Sequence, residues 1–208
     1  MSKVLCVIAN PKTVEESKSL TMAREFLDVY RKNNPQDTII EMDVYRENIP
    51  LIDVDVFAGW GKYARNESLT PTEQEKVGKI AAYTEQFLEA DKYIFVTPMW
   101  NLSLPPLMKA YIDTIVIAGK TFKYTEEGPV GLVEGKKAAH IHSRGGVYSN
   151  PPMTEMDFAD RYLKTLLNFL GIKDVVSIIC EGHEYAPDKA DQILKESLSR
   201  IREAAARF

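Results

Sequence analysis

Residues 92–101 read KYIFVTPMWN, and this stretch decides the fold. Its first six residues form a short, largely apolar run that is typical of a buried strand, and Pro98 ends the run. Similar runs predict four further strands, at Lys3–Ala9, Thr38–Val44, Lys137–His142 and Lys173–Cys180. Stretches with helical period lie between them, from Ser17 to about Lys32, from Thr70 or Thr72 to about Ala90, from Pro105 to about Ala118, from Asp157 to Leu170 and from Pro187 to near Phe208. Strands joined by helical crossovers predict a parallel sheet with helices on both faces.

Composition limits the class of protein. The 208 residues include 26 basic and 30 acidic side chains, and a net charge of -4 gives no field that would attract nucleic acid or an anionic membrane. No apolar run is long enough for a signal peptide or a membrane span, so we expect a cytoplasmic protein. The chain has no internal repeat, low-complexity tract or linker, which predicts one domain over residues 1–208. Cys6 and Cys180 lie in strand-like runs and are expected to be buried thiols.

Ligands of an open parallel sheet bind beyond the carboxyl ends of its strands. After the first strand, Ser17, Lys18 and Ser19 stand at a helix start. Free N–H groups, two hydroxyls and one positive charge suit a phosphate monoester there, although helix capping explains the two serines equally well. Neither GxGxxG nor GxxxxGK[ST] occurs, which disfavours a dinucleotide fingerprint and a P-loop.

Two more strand ends carry unusual residues. Pro98-Met99-Trp100-Asn101-Leu102 offers an apolar surface against which a flat aromatic cofactor can lie, with core packing as the alternative. In Ser143-Arg144-Gly145-Gly146 the glycines allow a positive φ and a close backbone approach, so that N–H groups converge on negative charge; a tight turn is the alternative. Because the three segments follow strands one, three and four, the doubly wound strand order 2-1-3-4-5 predicts one shared crevice.

Other candidate residues are less specific. A long irregular stretch from about Tyr45 to Leu69 carries Phe57 and Trp60, and loops of this length are often functional. His140 and His142 share one face of the fourth strand, but no third ligand accompanies them, so we expect no metal site. His183 follows the fifth strand near the ligand edge; contact with a substrate is one interpretation, and an ordinary loop histidine is the favoured one.

Together these motifs resemble those of one family. Beside the three strand-end segments, the chain contains Lys109-x-Tyr111-x-Asp113, Thr121-Phe122-x-Tyr124-Thr125, Gly131-Leu132-Val133, Gly135-Lys136-Lys137, Glu181-Gly182 and Tyr185. Over essentially its whole length it resembles the FMN-dependent NAD(P)H azoreductases, a flavodoxin-like group also described as NADH:quinone oxidoreductases. Asn10 stands where many relatives have serine, and Trp100 stands where tyrosine is commoner.

The resemblance implies non-covalently bound FMN, with NADH or NADPH as the electron donor. It implies that the cofactor-binding residues are Asn10, Ser17, Lys18 and Ser19 near the phosphate, Pro98, Met99, Trp100, Asn101 and Leu102 along the ring, and Ser143, Arg144, Gly145 and Gly146 at its pyrimidine side. The N–H groups of the two glycines would stabilise the reduced ring, and no side chain is expected to be catalytic. The family is homodimeric with active sites at the subunit interface, which makes Phe57, Trp60, Tyr124 and Phe169 candidates for the acceptor pocket.

The implied reaction passes two electrons from the nicotinamide through FMN to a quinone or an aromatic azo compound in a ping-pong sequence. One alternative is a flavodoxin-type electron carrier that serves protein partners. Another is an interaction domain that no longer binds flavin. Phe57 and Trp60 in the long loop, with the apolar Met99 and Trp100, favour a small-molecule pocket over the carrier.

Overall fold

A computed structural model describes all residues from 1 to 208. Its central feature is a five-stranded parallel sheet with the strand order β2-β1-β3-β6-β7. The sheet strands are β1 (Lys3–Ile8), β2 (Thr38–Asp43), β3 (Lys92–Pro98), β6 (Lys137–Arg144) and β7 (Asp174–Glu181). A separate antiparallel hairpin consists of β4 (Phe122–Thr125) and β5 (Gly128–Gly131). Counted within the main sheet this is the order 2-1-3-4-5, and the predicted flavodoxin-like fold is confirmed.

Six helices cover the sheet. They are α1 (Lys18–Asn33), α2 (Val54–Ala64), α3 (Pro71–Glu89), α4 (Pro106–Ile115), α5 (Asp160–Phe169) and α6 (Ala190–Arg207). Short 3-10 turns at Met153–Met156 and Pro187–Lys189 lead towards the last two. No helix is both long enough and apolar enough to cross a membrane.

Side chains on the two faces of the sheet fill two separate cores, because neighbouring residues of a strand point to opposite faces. Leu5 and Val7 of β1 belong to a core that includes residues of α3, α4 and α5. Val4 and Cys6 belong to a second core that includes residues of α1 and α6. Burial on both faces explains why the strands appear in the sequence as continuous apolar runs.

The two cysteines lie in this second core. Cys6 and Cys180 are both free thiols with no exposed surface. Burial raises the pKa of each thiol above its ordinary value, since the thiolate would lose its hydration. The prediction of two buried thiols is confirmed.

The expectation of an irregular stretch from Tyr45 to Leu69 is wrong, because α2 occupies its middle. Asp53 caps this helix: its carboxylate accepts hydrogen bonds from the N–H groups of Asp55 and Val56, each at 3.1 Å. An aspartate before a helical segment is a favoured N-cap, and this signal was present in the sequence. The next helix, α3, is capped by Thr70, the first of the two predicted cap residues, and Thr70 forms a capping box with Glu73.

Several predicted boundaries also move. The strand β6 continues for two residues beyond His142, so Ser143 and Arg144 lie inside the sheet and not in the following loop. The helix after Pro105 ends at Ile115, three residues earlier than predicted. The helix α5 begins at Asp160 and not at Asp157, because the chain first makes its 3-10 turn.

Candidate functional site

A crevice of about 400 Å³ opens at the carboxyl ends of β1, β3 and β6. Nine of the predicted cofactor-binding residues line it: Asn10, Ser17, Lys18, Pro98, Met99, Trp100, Ser143, Arg144 and Gly145. Ser19, Asn101, Leu102 and Gly146 were also predicted but are not part of the lining. Sequence reasoning missed Lys12, Glu16 and Glu184, which also line the crevice, as does His183. The three strand-end segments therefore meet at one cavity, as the strand order required.

The first wall is the amino end of α1. Ser17 is its N-cap, and the Ser17 hydroxyl accepts a hydrogen bond from the N–H of Leu20 at 3.3 Å. The amide Nδ2 of Asn10 donates to the hydroxyls of Ser17, at 2.7 Å, and of Ser19, at 3.2 Å. Asn10 thus holds both hydroxyls in place, with Ser19 behind the surface. The first-turn N–H groups and the adjacent Lys18 make this end of the helix suitable for an anion.

The second wall is a tight turn after β3. The N–H and C=O groups of Trp100 and Ser103 form a reciprocal pair of hydrogen bonds of 2.9 and 3.0 Å. Between them, Asn101 and Leu102 have φ values of 47° and 67°, the combination of a type I′ turn. A leucine in this left-handed region is uncommon, and such strain tends to occur at functional sites. The sequence carried no signal for this turn at Leu102.

Backbone hydrogen bonds fix the position of this turn. The N–H of Met99 donates to the carbonyl of Ser143 at 2.8 Å, which extends the pairing of β3 and β6 to the edge of the crevice. The N–H of Phe158 donates to the carbonyl of Leu102 at 3.0 Å. The apolar edge formed by Met99 and Trp100 is therefore held from both sides.

The two glycines after β6 differ from expectation. Neither Gly145 nor Gly146 has a positive φ, so the predicted left-handed conformation is wrong. The close approach of neighbouring side chains explains why glycine occurs at these two positions. A Cβ on Gly145 would lie 2.2 Å from the carboxylate Oε2 of Glu184, and one on Gly146 would lie 3.0 Å from the ring of Tyr148. A larger residue at either position would force its neighbour to move.

The guanidinium of Arg144 is occupied by partners within the chain. It donates to Glu181 at 2.9 Å, to Asp157 at 2.5 Å and to the Ser149 hydroxyl at 2.8 Å, and Arg144 is only 2% exposed. Burial raises the pKa of Glu181, but hydrogen bonds from the Tyr148 N–H and Arg144 outweigh it, and the net pKa is lowered. Arg144 therefore clamps the loop after β6 onto β7, a role that the sequence did not predict.

A buried polar chain lies below the crevice. The hydroxyl of Thr97 contacts His140 Nε2 at 2.8 Å and His142 Nδ1 at 2.9 Å, and His140 Nδ1 contacts Asp160 at 2.8 Å. His142 Nδ1 also lies 3.1 Å from the carbonyl of Thr97, which can only accept, so we assign the His142 proton to Nδ1. The Nε2 atom of His142 then has no hydrogen-bond partner.

This arrangement keeps His142 neutral. Burial, followed by the neighbouring His140, lowers the pKa of His142 well below its usual value. For Asp160, burial raises the pKa. The hydrogen bond and charge of His140 and the hydrogen bond from the Ser177 hydroxyl lower it by more, so the net pKa is lowered and the carboxylate remains ionised. The hydroxyl of Thr97 links the two histidines, which are part of the packed interior below the crevice.

The four predicted acceptor-pocket residues do not line the crevice of a single chain. Phe57 and Trp60 pack edge to face on α2 with ring centroids 5.8 Å apart. Tyr124 is on the β4–β5 hairpin, and Phe169 packs with its centroid 4.8 Å from that of Phe122. Phe57 and Tyr124 are 65% and 74% exposed.

His183 lines the crevice, which agrees with its expected place near the ligand edge and not with an ordinary loop histidine. Burial, together with the nearby positive charge of Lys18, lowers its pKa. Nδ1 of His183 lies 4.0 Å from the sulfur of Cys180. The lowered pKa favours the neutral imidazole at the end of the cavity that Lys18 also lines.

Comparison with known proteins agrees with this geometry. The chain is 47% identical over 211 residues to the FMN-dependent NADH:quinone oxidoreductase 2 of Bacillus subtilis (strain 168), with all of both chains covered. It superposes on the azoreductase from Bacillus anthracis str. Sterne with a TM-score of 0.95 and 41% identity over all of both chains. An FMN-dependent NADH-azoreductase from Bacillus anthracis str. Ames Ancestor, solved in complex with FMN, gives a TM-score of 0.95 at 33% identity, covering 100% of this chain and 99% of that one. A family model described as "Flavodoxin-like fold" matches residues 2–205, and the chain belongs to that family.

Proposed function

We propose that this protein binds FMN in the crevice and transfers two electrons from NADH or NADPH to quinones and aromatic azo compounds. The observation that carries the proposal is the meeting of three strand-end segments at one cavity. A serine-capped helix end with Lys18 suits the phosphate, Met99 and Trp100 give an apolar edge, and Gly145 presents its backbone to the cavity without a side chain. The relatives named above support the cofactor and the two classes of acceptor.

The division of labour follows from these residues. Bound FMN supplies two-electron hydride chemistry at its N5 atom. Ser17, Lys18 and the first-turn N–H groups of α1 hold the phosphate. Met99 and Trp100 would exclude water from one side of the ring, and the N–H group of Gly145, with that of Gly146 next to it, would stabilise negative charge on the reduced ring. No side chain acts as a nucleophile.

We further infer a ping-pong order, in which the oxidised nicotinamide leaves before the acceptor occupies the same face. The open crevice supports this order, because one cavity of about 400 Å³ offers one ring face to two large reactants in turn. Steady-state rates over a grid of NADH and menadione concentrations test it. Parallel double-reciprocal lines are expected, and intersecting lines would contradict the order.

The reaction itself is tested with the FMN-loaded protein. NADH oxidation is followed with menadione and with an azo dye as acceptors. Turnover with both supports the proposal. A protein that retains FMN but shows no turnover with either acceptor favours the electron-carrier alternative, and one that neither retains FMN nor quenches its fluorescence favours an interaction domain.

A pair of variants tests the phosphate site. Lys18→Ala removes the charge at the amino end of α1, and we expect it to weaken FMN binding about tenfold. Lys32→Ala removes the same charge at the other end of the same helix and serves as the control. Equal affinities in the two variants, measured by FMN fluorescence quenching, would place the phosphate elsewhere.

We also propose a homodimer of single-domain chains, residues 1–208, located in the cytoplasm where nicotinamide donors are available. The exposed aromatic rings of Phe57 and Tyr124 support the dimer, because solubility alone gives no reason for them. Phe57, Trp60, Tyr124 and Phe169 would then contribute to the acceptor pocket across the interface. Light scattering should give twice the chain mass, and Phe57→Ala should raise the KM for menadione more than the KM for NADH.

A further inference from the structure

The turn after β7 is attached to the crevice by backbone hydrogen bonds. The N–H of Gly182 donates to the carbonyls of Arg144, at 3.2 Å, and of Gly146, at 3.0 Å. The N–H groups of Glu184 and Tyr185 both donate to the carbonyl of Gly145, at 3.1 and 3.2 Å. These four contacts fix the backbone of Glu184 directly beside the two glycines.

The side chain of Glu184 then extends over Gly145. A Cβ built on Gly145 would lie 2.2 Å from Oε2 and 2.5 Å from Cδ of Glu184, so the carboxylate lies against the glycine backbone. Glu184 lines the crevice, and its carboxylate makes no hydrogen bond or ion pair with any residue of the chain. The groups of basic character that line the same cavity are Lys12, Lys18, Arg144 and His183. Glu184 is an exposed residue, and a cofactor that fills the crevice would lie beside its carboxylate.

We propose that Glu184 sets the reduction potential of bound FMN, an inference that rests on the proposed function. Hydride transfer, NADH + FMN → NAD⁺ + FMNH⁻, leaves a negative charge on the N1 and C2-oxygen edge of the ring. The N–H groups of Gly145 and Gly146 favour that charge. The carboxylate of Glu184 lies against the same glycine and would oppose it, because like charges repel.

The consequence is differential binding of the two redox states. Glu184 destabilises reduced FMN more than oxidised FMN, which lowers the potential and makes the reduced enzyme a stronger donor to its acceptor. The glycine at position 145 is what permits this, since any side chain there would displace the carboxylate.

The test uses Glu184→Gln, which removes the charge and keeps the shape. Glu126→Gln is the matched control, since Glu126 is an exposed residue in the turn of the β4–β5 hairpin. For wild type and both variants, we would measure the dissociation constants of oxidised and dithionite-reduced FMN, and the midpoint potential by equilibration with a reference dye. In Glu184→Gln, reduced FMN should gain about tenfold in affinity relative to oxidised FMN, which corresponds to about +30 mV for a two-electron couple. The control should match the wild type.

Two outcomes would overturn the inference. One is an equal midpoint potential in all three proteins. The other is loss of oxidised FMN binding in Glu184→Gln without a change in the melting temperature of the FMN-free protein, since the carboxylate would then be a binding contact. A wild-type protein that binds no FMN would instead remove the proposed function, so the two failures are distinguishable.

Discussion

Replacing Arg144 by methionine removes the buried guanidinium and keeps much of the aliphatic volume. The guanidinium donates to Asp157, Glu181 and Ser149, and its ion pairs are the only ones that join the loop after β6 to β7. Removing one partner of a buried ion pair costs about 3–5 kcal/mol, because the remaining charge is left desolvated and unpaired.

Two features of the structure place the expected cost at the lower end of this range. The carboxylate of Asp157 still accepts from the N–H groups of Ala159 and Asp160, each at 3.0 Å, and Glu181 still accepts from the N–H of Tyr148 at 2.9 Å. The side chains of Asp157 and Glu181 are also 12% and 21% exposed, so water reaches both. We therefore expect a loss of about 3 kcal/mol, or about 6–12 °C in Tm for a chain of this length.

Urea unfolding of the FMN-free protein, followed by circular dichroism, measures this loss. Arg161→Met is the matched control, because Arg161 is 53% exposed and its only ion pair, with Glu155, is 4.0 Å long. It should cost less than about 1 kcal/mol. If Arg144→Met and Arg161→Met unfold at the same urea concentration, the clamp does not stabilise the fold and the reasoning fails.

Three further predictions concern stability in the absence of FMN. Leu102→Ile keeps the volume but adds a β-branch at a positive φ, and should cost about 1 kcal/mol in urea unfolding, whereas Leu51→Ile, at an exposed position, should have no measurable effect. Thr97→Val removes the hydroxyl that hydrogen-bonds two buried imidazoles and should cost about 1–3 kcal/mol of stability. Thr97→Ser keeps the hydroxyl and should lose much less. Equal stability of the two variants would contradict the role of this hydroxyl. The folded pKa of His142 is lowered below 6.5, so the unfolded chain takes up the proton first, and stability should fall below that pH by at most about 1.4 kcal/mol per pH unit for this group. The folded pKa of Asp160 is likewise lowered below 3.8, which adds a second loss of stability as the pH falls below that value. In a plot of unfolding free energy against pH, His142→Asn should remove only the slope that begins near pH 6.5. An unchanged slope there would count against a neutral buried imidazole.

The sheet was predictable because strands buried on both faces carry continuous apolar runs, and KYIFVT is such a run. The crevice followed from the same physics, since parallel strands bring their carboxyl ends to one edge and Ser17, Met99 and Gly145 all follow strands. The helix α2 was missed because its cap, Asp53, is one polar residue in a segment rich in aromatic and apolar ones.

Other features depend on contacts between distant residues. The clamp of Arg144 joins residues 13 and 37 positions away in the chain, and no local pattern announces such a pair. Glu184 reaches Gly145 only because two loops are hydrogen-bonded side by side. The left-handed turn at Leu102 is imposed by its neighbours against the preference of leucine itself.

The burial of both cysteines has a consequence for an enzyme that handles quinones. Many quinones are electrophiles that arylate thiols, and the attacking species is the thiolate. Cys6 and Cys180 are the only cysteines of the chain, and both are inaccessible and held in the protonated form. The fold thus keeps both sulfur nucleophiles away from a quinone that binds in the crevice.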